Sequence, residues 1–269
     1  VLAKGFPLWA RREMDKRWGA IPQGFAKITD PQGNQLLVRQ DLAGQIDFSL
    51  CAANKGDGES FAYQGRAPIK ARKLRNGEIA LIRSYRHGGL LRALTEEWFF
   101  TWPPRPFREL AITEELRRRG VRTVEVLAAC VSQGTGPFYR GWLVTRQLAG
   151  AEDFWSALQS GFVGKVGLQA ALWAVAESVR SIHREGVYHD DLNLKNILLR
   201  VEDGRVVSYI IDFDKAKLFL GRLPVSVGQR NLKRLRRSAL KLDPEQRFFP
   251  AGAWDQLIDF YRACEHGRV

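Results

Sequence analysis

Cysteine is scarce in this chain: Cys51, Cys130 and Cys264 are the three in 269 residues, far apart and with no Cys-x-x-Cys pair. That spacing argues against a zinc site and a disulfide framework and agrees with a reducing compartment. Long apolar runs are missing too. No stretch approaches the ~20 consecutive apolar residues of a spanning helix, and no basic start followed by an apolar core marks a signal peptide, so a soluble or peripheral protein is expected. Acidic side chains are too few to balance the basic ones, 29 against 42, leaving a net charge of +13. Such an excess draws a protein toward polyanions: nucleic acid, phosphorylated glycolipid or an anionic bilayer. No recognisable nucleic-acid-binding motif accompanies it, so no nucleic-acid partner is expected. There is no internal repeat and no low-complexity tract. The first residue is Val1 rather than methionine, so further residues are expected before it.

What is present is chemistry concentrated in two places. Gly186 to Leu199 carries His189, Asp191 two places on and Asn196 five places after that, followed by an apolar Ile-Leu-Leu run. This is the spacing of a kinase catalytic loop, in which one loop supplies both a base and a metal ligand. After a turn at Glu202-Asp-Gly204, a second β-branched run ends in Asp212, where a second metal ligand belongs. Phosphoryl transfer needs such a set, because the attacking hydroxyl must be oriented and the phosphate charge neutralised. Asp191 is the candidate general base, and Asn196 with Asp212 the candidate Mg²⁺ ligands. His189 either takes part or braces the loop. Asp190 reads as solvated or as a loop cap, and Lys195 either meets a transferring phosphate or lies on the surface.

With 45 % apolar residues the chain can bury a substantial core. Turn residues Asp30 to Asn34 between two apolar stretches suggest a hairpin. Strands are expected over Ile69 to Leu74 and Glu78 to Tyr85; in the second, Ile79, Leu81, Arg83 and Tyr85 share a face. Arg105 to Gly120 reads as a helix with proline near its start, arginines in its last turn and glycine beyond. Val121 to Cys130 and Tyr139 to Leu148 read as strands. Lys165 to Glu185 has the period of a buried helix, and Ser226 to Leu240 and Ala251 to Cys264 as two more. A β-rich part followed by a mostly helical part bearing both acidic loops gives the expected fold class: α+β, protein-kinase-like and two-lobed. The N-lobe would cover about 1–147 and the C-lobe about 153–269 of a single kinase-like domain.

That order lets the remaining parts be sought by position. A cation on the third strand of the lobe should grip nucleotide phosphates and pair with a glutamate on the next helix. Arg83 and Glu109 fill those places, with Glu114 and Glu115 as rivals. Arginine replaces the usual lysine there, so its planar fork alters reach and geometry. Gly65, in Gly65-Arg-Ala, is the candidate phosphate-loop glycine or a plain strand turn.

Arg83-Ser-Tyr-Arg-His-Gly-Gly89, Arg105-Pro-Phe-Arg-Glu109, Tyr188 to Leu199, Ile211-Asp-Phe-Asp214 and Asn231-Leu-Lys-Arg-Leu-Arg-Arg-Ser238 together resemble the lipopolysaccharide kinases, over about Gly65 to Leu240. Within that family the motifs stand closest to the enzymes acting on 3-deoxy-D-manno-octulosonic acid (Kdo). The resemblance implies ATP-dependent transfer to the 4-OH of Kdo on the lipid A precursor glycolipid, at the cytoplasmic face of a bacterial inner membrane. It makes Asp191 the catalytic base. A core heptose is the alternative acceptor, and a nucleotide-binding pseudokinase scaffold the alternative class. Asp214 replaces the glycine after Asp-Phe of protein kinases, which argues against a flipping activation segment. The 57 residues after Asp212 favour a small or glycan acceptor over a protein.

Two further stretches leave alternatives open. Arg230, Lys233, Arg234, Arg236 and Arg237 form either a solvated helix face or a surface for anionic glycolipid and membrane, with Leu232, Leu235 and Leu240 left for the core. Glu97-Trp-Phe-Phe-Thr-Trp-Pro-Pro104 either enters a bilayer interface or packs under the helix that follows.

Overall fold

The computed structural model describes residues 21–49, 69–86 and 97–264. They fall into two compact units, one holding the described residues up to 115 together with 124–147, the other 116–123 and 148–264.

The first unit is built on a six-stranded antiparallel sheet of β1 (Phe25–Thr29), β2 (Gln35–Arg39), β3 (Ile69–Lys73), β4 (Ile79–Ser84), β5 (Val126–Gln133) and β6 (Tyr139–Arg146). The strand order is β1-β2-β5-β6-β4-β3. Turn chemistry fixes the hairpins. Asp30 accepts from the Gln32 and Asn34 amides at 3.0 and 2.8 Å, and Asn76 accepts from the Glu78 amide at 3.1 Å beside Gly77 at φ 85°.

Both sheet faces are covered, which explains why β5 reads as an unbroken apolar run rather than an alternation. One cluster joins Leu36, Val38, Ala80, Ile82, Cys130 and Val144. The other joins Leu37, Val126, Ala129, Val131, Leu143 and Leu110 of helix α1 (Arg105–Arg118). In β4 it is therefore Ala80 and Ile82 that are deeply buried, while Ile79, Leu81 and Arg83 are half-buried on the opposite side.

The strand expected from Val121 starts only at Val126, because Val121 has another task. Gly120, at φ 80°, donates to the Arg117 carbonyl and Val121 to that of Leu116. These two bonds are a Schellman cap, and the buried Val121 and Leu116 supply its apolar contact.

The second unit is mainly helical: α2 (Phe154–Gln159), α3 (Phe162–Val166), α4 (Leu168–Arg184), α5 (Val225–Leu242) and α6 (Ala253–Ala263). The helix expected from Lys165 begins at Leu168, since Gly167 at φ 90° ends α3 and opens α4. Ala171, Leu172, Val175, Val179 and Ile182 form the buried stripe of α4, and Trp173 meets Phe260 of α6 edge-on at 5.2 Å. Short strands complete the unit. β9 (Ile197–Glu202) lies between β7 (Glu152–Asp153) and β10 (Arg205–Ile210), and β8 (Val187–Tyr188) pairs with β11 (Lys217–Leu218). The β9–β10 turn is Asp203-Gly204, both at positive φ, as a tight hairpin requires. No helix among the described residues is long and apolar enough to cross a membrane.

Candidate active site

Helix α4 turns into β8 at Gly186, φ 75°, where a Cβ would collide with the Phe219 and Gly221 carbonyl oxygens. Only glycine lets the chain pass there. Beyond β8, His189 is fully buried. Its Nδ1 accepts the Asp191 N–H at 3.2 Å, and its Nε2 lies 2.9 Å from the Ile211 carbonyl oxygen. A carbonyl only accepts, so Nε2 carries the proton and the ring is the neutral Nε2–H tautomer. Burial, the largest influence, pushes its pKa below the ordinary value; the bond to Ile211 and the charges of Asp212 and Asp191 oppose this only in part.

Asp191 and Asn196 are half-buried on the loop that follows. The Asp191 carbonyl accepts from the side-chain amides of Asn193 and Asn196, each at 2.8 Å. Asn193 Oδ1 in turn accepts the Lys195 N–H at 2.9 Å. Because Asn196 donates through Nδ2, its Oδ1 is the atom left to ligate a cation. The Asn196 carbonyl accepts from the Ile211 amide at 3.0 Å. Asp212 follows at φ 67°, the left-handed region that aspartate tolerates better than most residues but that still stores strain. Two bonds thus join the two loops, His189 to Ile211 and Ile211 to Asn196, and a third, Asn196 to Asp191, braces the first loop within itself. Asn196 Oδ1 and the Asp212 carboxylate are hard oxygen donors. They suit Mg²⁺, which takes one or two protein carboxylates and completes its shell with water and substrate phosphates. Among the described residues no group of three His, Cys, Asp or Glu gathers at one point.

In the sheet unit, Arg83 leaves β4 toward Glu109 of α1, its Nη2 lying 2.6 and 2.7 Å from the two carboxylate oxygens. Glu109 is almost wholly buried, with 3 % of its side chain exposed against 27 % for Arg83. The Tyr85 hydroxyl donates a very short bond to Glu109 Oε2, and the Arg83 guanidinium lies 4.9 Å from the Tyr85 ring centre. Glu114 is occupied differently, accepting the Val126 N–H at 3.2 Å. Gly65 lies outside the described residues, as does Gly88-Gly89. Lys195 is exposed on the short 3₁₀ turn Leu194–Asn196.

Several expectations are corrected. Asp190 is only partly solvated, its side chain 31 % exposed, with Arg234 Nη2 2.9 Å and Lys217 Nζ 3.5 Å from its carboxylate. Arg234 is therefore not on the solvated face of α5, because helix geometry turns it toward the loop with Asn231 and Ser238. Leu240 is exposed; the buried stripe runs Val227, Asn231, Leu232, Leu235, Ala239, and Leu240 falls one position off it. The aromatic segment divides. Phe99 is buried against Tyr139 and Tyr85, whereas Phe100 and Trp102 are 69 % and 85 % exposed.

Asn231 opens the Asn231–Ser238 motif, but the sequence assigns it no role; it is fully buried and grips the loop. Its Oδ1 accepts the His189 N–H at 3.0 Å and its Nδ2 donates to the His189 carbonyl at 2.7 Å. Ser238 Oγ accepts the Leu194 N–H at 3.2 Å. The available signal was an asparagine at a core position of a basic helix, four residues before Leu235. His183 gave the same kind of signal inside the apolar stripe of α4.

The family model described as "Lipopolysaccharide kinase (Kdo/WaaP) family" matches residues 63–261. The 3-deoxy-D-manno-octulosonic acid kinase of Vibrio vulnificus (strain YJ016) is 36 % identical over 163 residues, 59 % of this chain and 64 % of that protein. That of Pasteurella multocida (strain Pm70) is 31 % identical over 192 residues, 70 % and 77 % of the two chains. The chain thus spans less than two thirds of the Vibrio relative's length. A solved structure, "WaaP in complex with acyl carrier protein", covers 86 % of this chain and 98 % of its own with a TM-score of 0.50 at 19 % identity. That likeness shows the fold, protein-kinase-like α+β.

Proposed function

The chain belongs to the lipopolysaccharide kinase (Kdo/WaaP) family, and we propose that it transfers the γ-phosphoryl group of ATP to the 4-OH of Kdo on the lipid A precursor. The observation that carries this reading is the bonding of the loop that holds Asp191 and Asn196 to Ile211, the residue that leads into Asp212. Asp191 orients the acceptor hydroxyl and takes its proton as the oxygen attacks the γ-phosphorus, and ADP departs. Asn196 and Asp212 hold Mg²⁺, which neutralises charge building on the phosphates. Arg83, aimed by Glu109 and Tyr85, is the cation for the α/β-phosphates. By sequence position, Gly65 is assigned to the phosphate-binding loop and Lys195 to the transferring phosphate.

The neutral tautomer of His189, with both nitrogens engaged, supports a bracing role. The net charge of +13 and the exposed Phe100 and Trp102 support work at an anionic membrane surface, the cytoplasmic face of the inner membrane. The test is transfer from labelled ATP to Kdo-lipid A precursor and to a heptose-bearing core acceptor, with Asp191→Ala as control. Product on the Kdo acceptor alone is expected. Product on heptose alone moves the chain to the other branch of the family, and nucleotide binding without product on either acceptor refutes the kinase reading.

A further inference from the structure

The last helix of the chain reaches the catalytic loop through a directed line of hydrogen bonds. Tyr261 on α6 places its hydroxyl 2.8 Å from His183 Nδ1 on α4. Arg180 Nη1 donates to the same hydroxyl oxygen at 3.1 Å. His183 Nε2 lies 3.2 Å from Asn231 Oδ1, and Asn231 clamps both backbone groups of His189.

The direction of every bond follows from chemistry. The His189 N–H needs an acceptor and the His189 carbonyl a donor, so the Asn231 amide has one allowed orientation. Its Oδ1 then faces His183 Nε2, which must carry the proton. His183 Nδ1 is left as an acceptor, and the Tyr261 O–H supplies the donor, since Arg180 already occupies an acceptor lobe of that oxygen. Burial, foremost, with Arg180 and His189 nearby, pushes the His183 pKa down to about 4, so the ring is neutral near pH 7. The other tautomer would set a lone pair against Asn231 Oδ1. Flipping the amide in response would oppose donor to donor and acceptor to acceptor at His189. Gly228 of α5 leaves room for this pair: a Cβ there would sit only 3.3 Å from His183 Nδ1 and 3.6 Å from the Tyr261 oxygen.

We propose that Tyr261 is a positioning residue for phosphoryl transfer, its hydroxyl anchoring the His183 ring whose Nε2–H bonds Asn231, which in turn holds the loop that carries Asp191. This rests on the kinase reading above.

The test is a cycle of Tyr261→Phe, His183→Gln and the double variant in the full chain. Tyr261→Phe should lower kcat about fivefold to tenfold, the worth of one lost hydrogen bond in a buried network, with KM for ATP unchanged. A glutamine amide nitrogen always donates, so the His183→Gln chain should lose nothing further on Tyr261→Phe. Nitrogen-15 NMR of the His183 ring should show the Nε2–H form in both chains, with the Nδ1 resonance moving in Tyr261→Phe as its hydrogen bond is lost. Hydrogen exchange at the His189 amide should quicken in step. An Nδ1–H ring in the unaltered chain, or equal kcat losses from Tyr261→Phe in both backgrounds, would overturn the proposal. So would a moved Nδ1 resonance with kcat unchanged. If the unaltered chain phosphorylates no acceptor, the kinase reading fails separately, and the Nδ1 resonance with His189 exchange still decides whether Tyr261 anchors the loop.

Discussion

Replacing His189 separates a brace from a proton carrier. His189→Leu keeps the bulk but leaves the Ile211 carbonyl and the Asp191 amide without their ring partner at a buried site. A buried group stripped of its partner costs about 1–3 kcal/mol. The bond to Ile211 is 2.9 Å and that from Asp191 a longer 3.2 Å, so the second belongs at the low end and the sum is ~3–4 kcal/mol. Domains of this size hold ~5–15 kcal/mol in all, so the variant should still fold. His189→Gln keeps a donor for Ile211 and should lose about half as much. Urea unfolding reads the stability change as a lower midpoint at unchanged slope. Both variants should lower kcat while the limbs of the pH–rate profile stay where they were, because a ring with both nitrogens bonded and its pKa depressed exchanges no proton with the substrate. If a limb moves or vanishes in His189→Gln while the urea midpoint holds, His189 is in the chemistry and the bracing account is wrong.

Glu109→Gln removes the charge facing Arg83 but keeps the shape. Breaking such a pair by losing one partner costs ~3–5 kcal/mol where both charges are buried, and less here because Arg83 is partly exposed; KM for ATP should rise tenfold or more, and an unchanged KM would detach Arg83 from the nucleotide. Asp243 accepts the Arg247, Phe248 and Phe249 amides at 2.7–2.9 Å. Burial raises its pKa, but those three bonds outweigh burial and hold it below the ordinary value. Its stabilisation is therefore present above the unfolded pKa and lost as pH falls through the folded one, so the Tm gap between the unaltered chain and Asp243→Asn should close on acidification; a constant gap would contradict this. His183, lowered to about 4 from 6.5, acts in the same direction. Between those values the unfolded chain binds a proton that the folded one does not, so stability should drop as pH is lowered, and His183→Gln should flatten that slope. Phe100→Ser with Trp102→Ser should weaken binding to anionic vesicles without lowering Tm; binding unchanged would remove these rings from the membrane proposal.

Local chemistry made much of the fold legible. The Asp30–Asn34 and Arg75–Gly77 turns name their hairpins because the residues that bend the chain also bond to it. The stripe of α4 is legible because its period is that of one buried face. Where two demands meet on one segment, a boundary moves: Val121 reads as strand by side chain, but its amide caps α1. Gly167 is invisible to apolar periodicity yet resets the helix through its positive φ. In the candidate site, spacing within a dozen residues was sufficient to mark the two loops. Asn231, His183 and Tyr261 were not legible in their roles, because their partners lie 42 to 78 residues away and no local pattern encodes which buried polar groups meet. Asp190 shows the converse, since its partners Lys217 and Arg234 look like ordinary surface cations until helix and strand directions are known.

The guanidinium on β4 has a consequence for chemical profiling. Nucleotide probes built to acylate a lysine amine beside bound phosphates depend on a nucleophile at that strand position. Arg83 remains protonated at any usable pH and is shared between two carboxylate oxygens and a tyrosine face. Such reagents would leave this position unlabelled even in a fully active preparation, and activity-based surveys that count kinases by lysine modification there would pass over this chain.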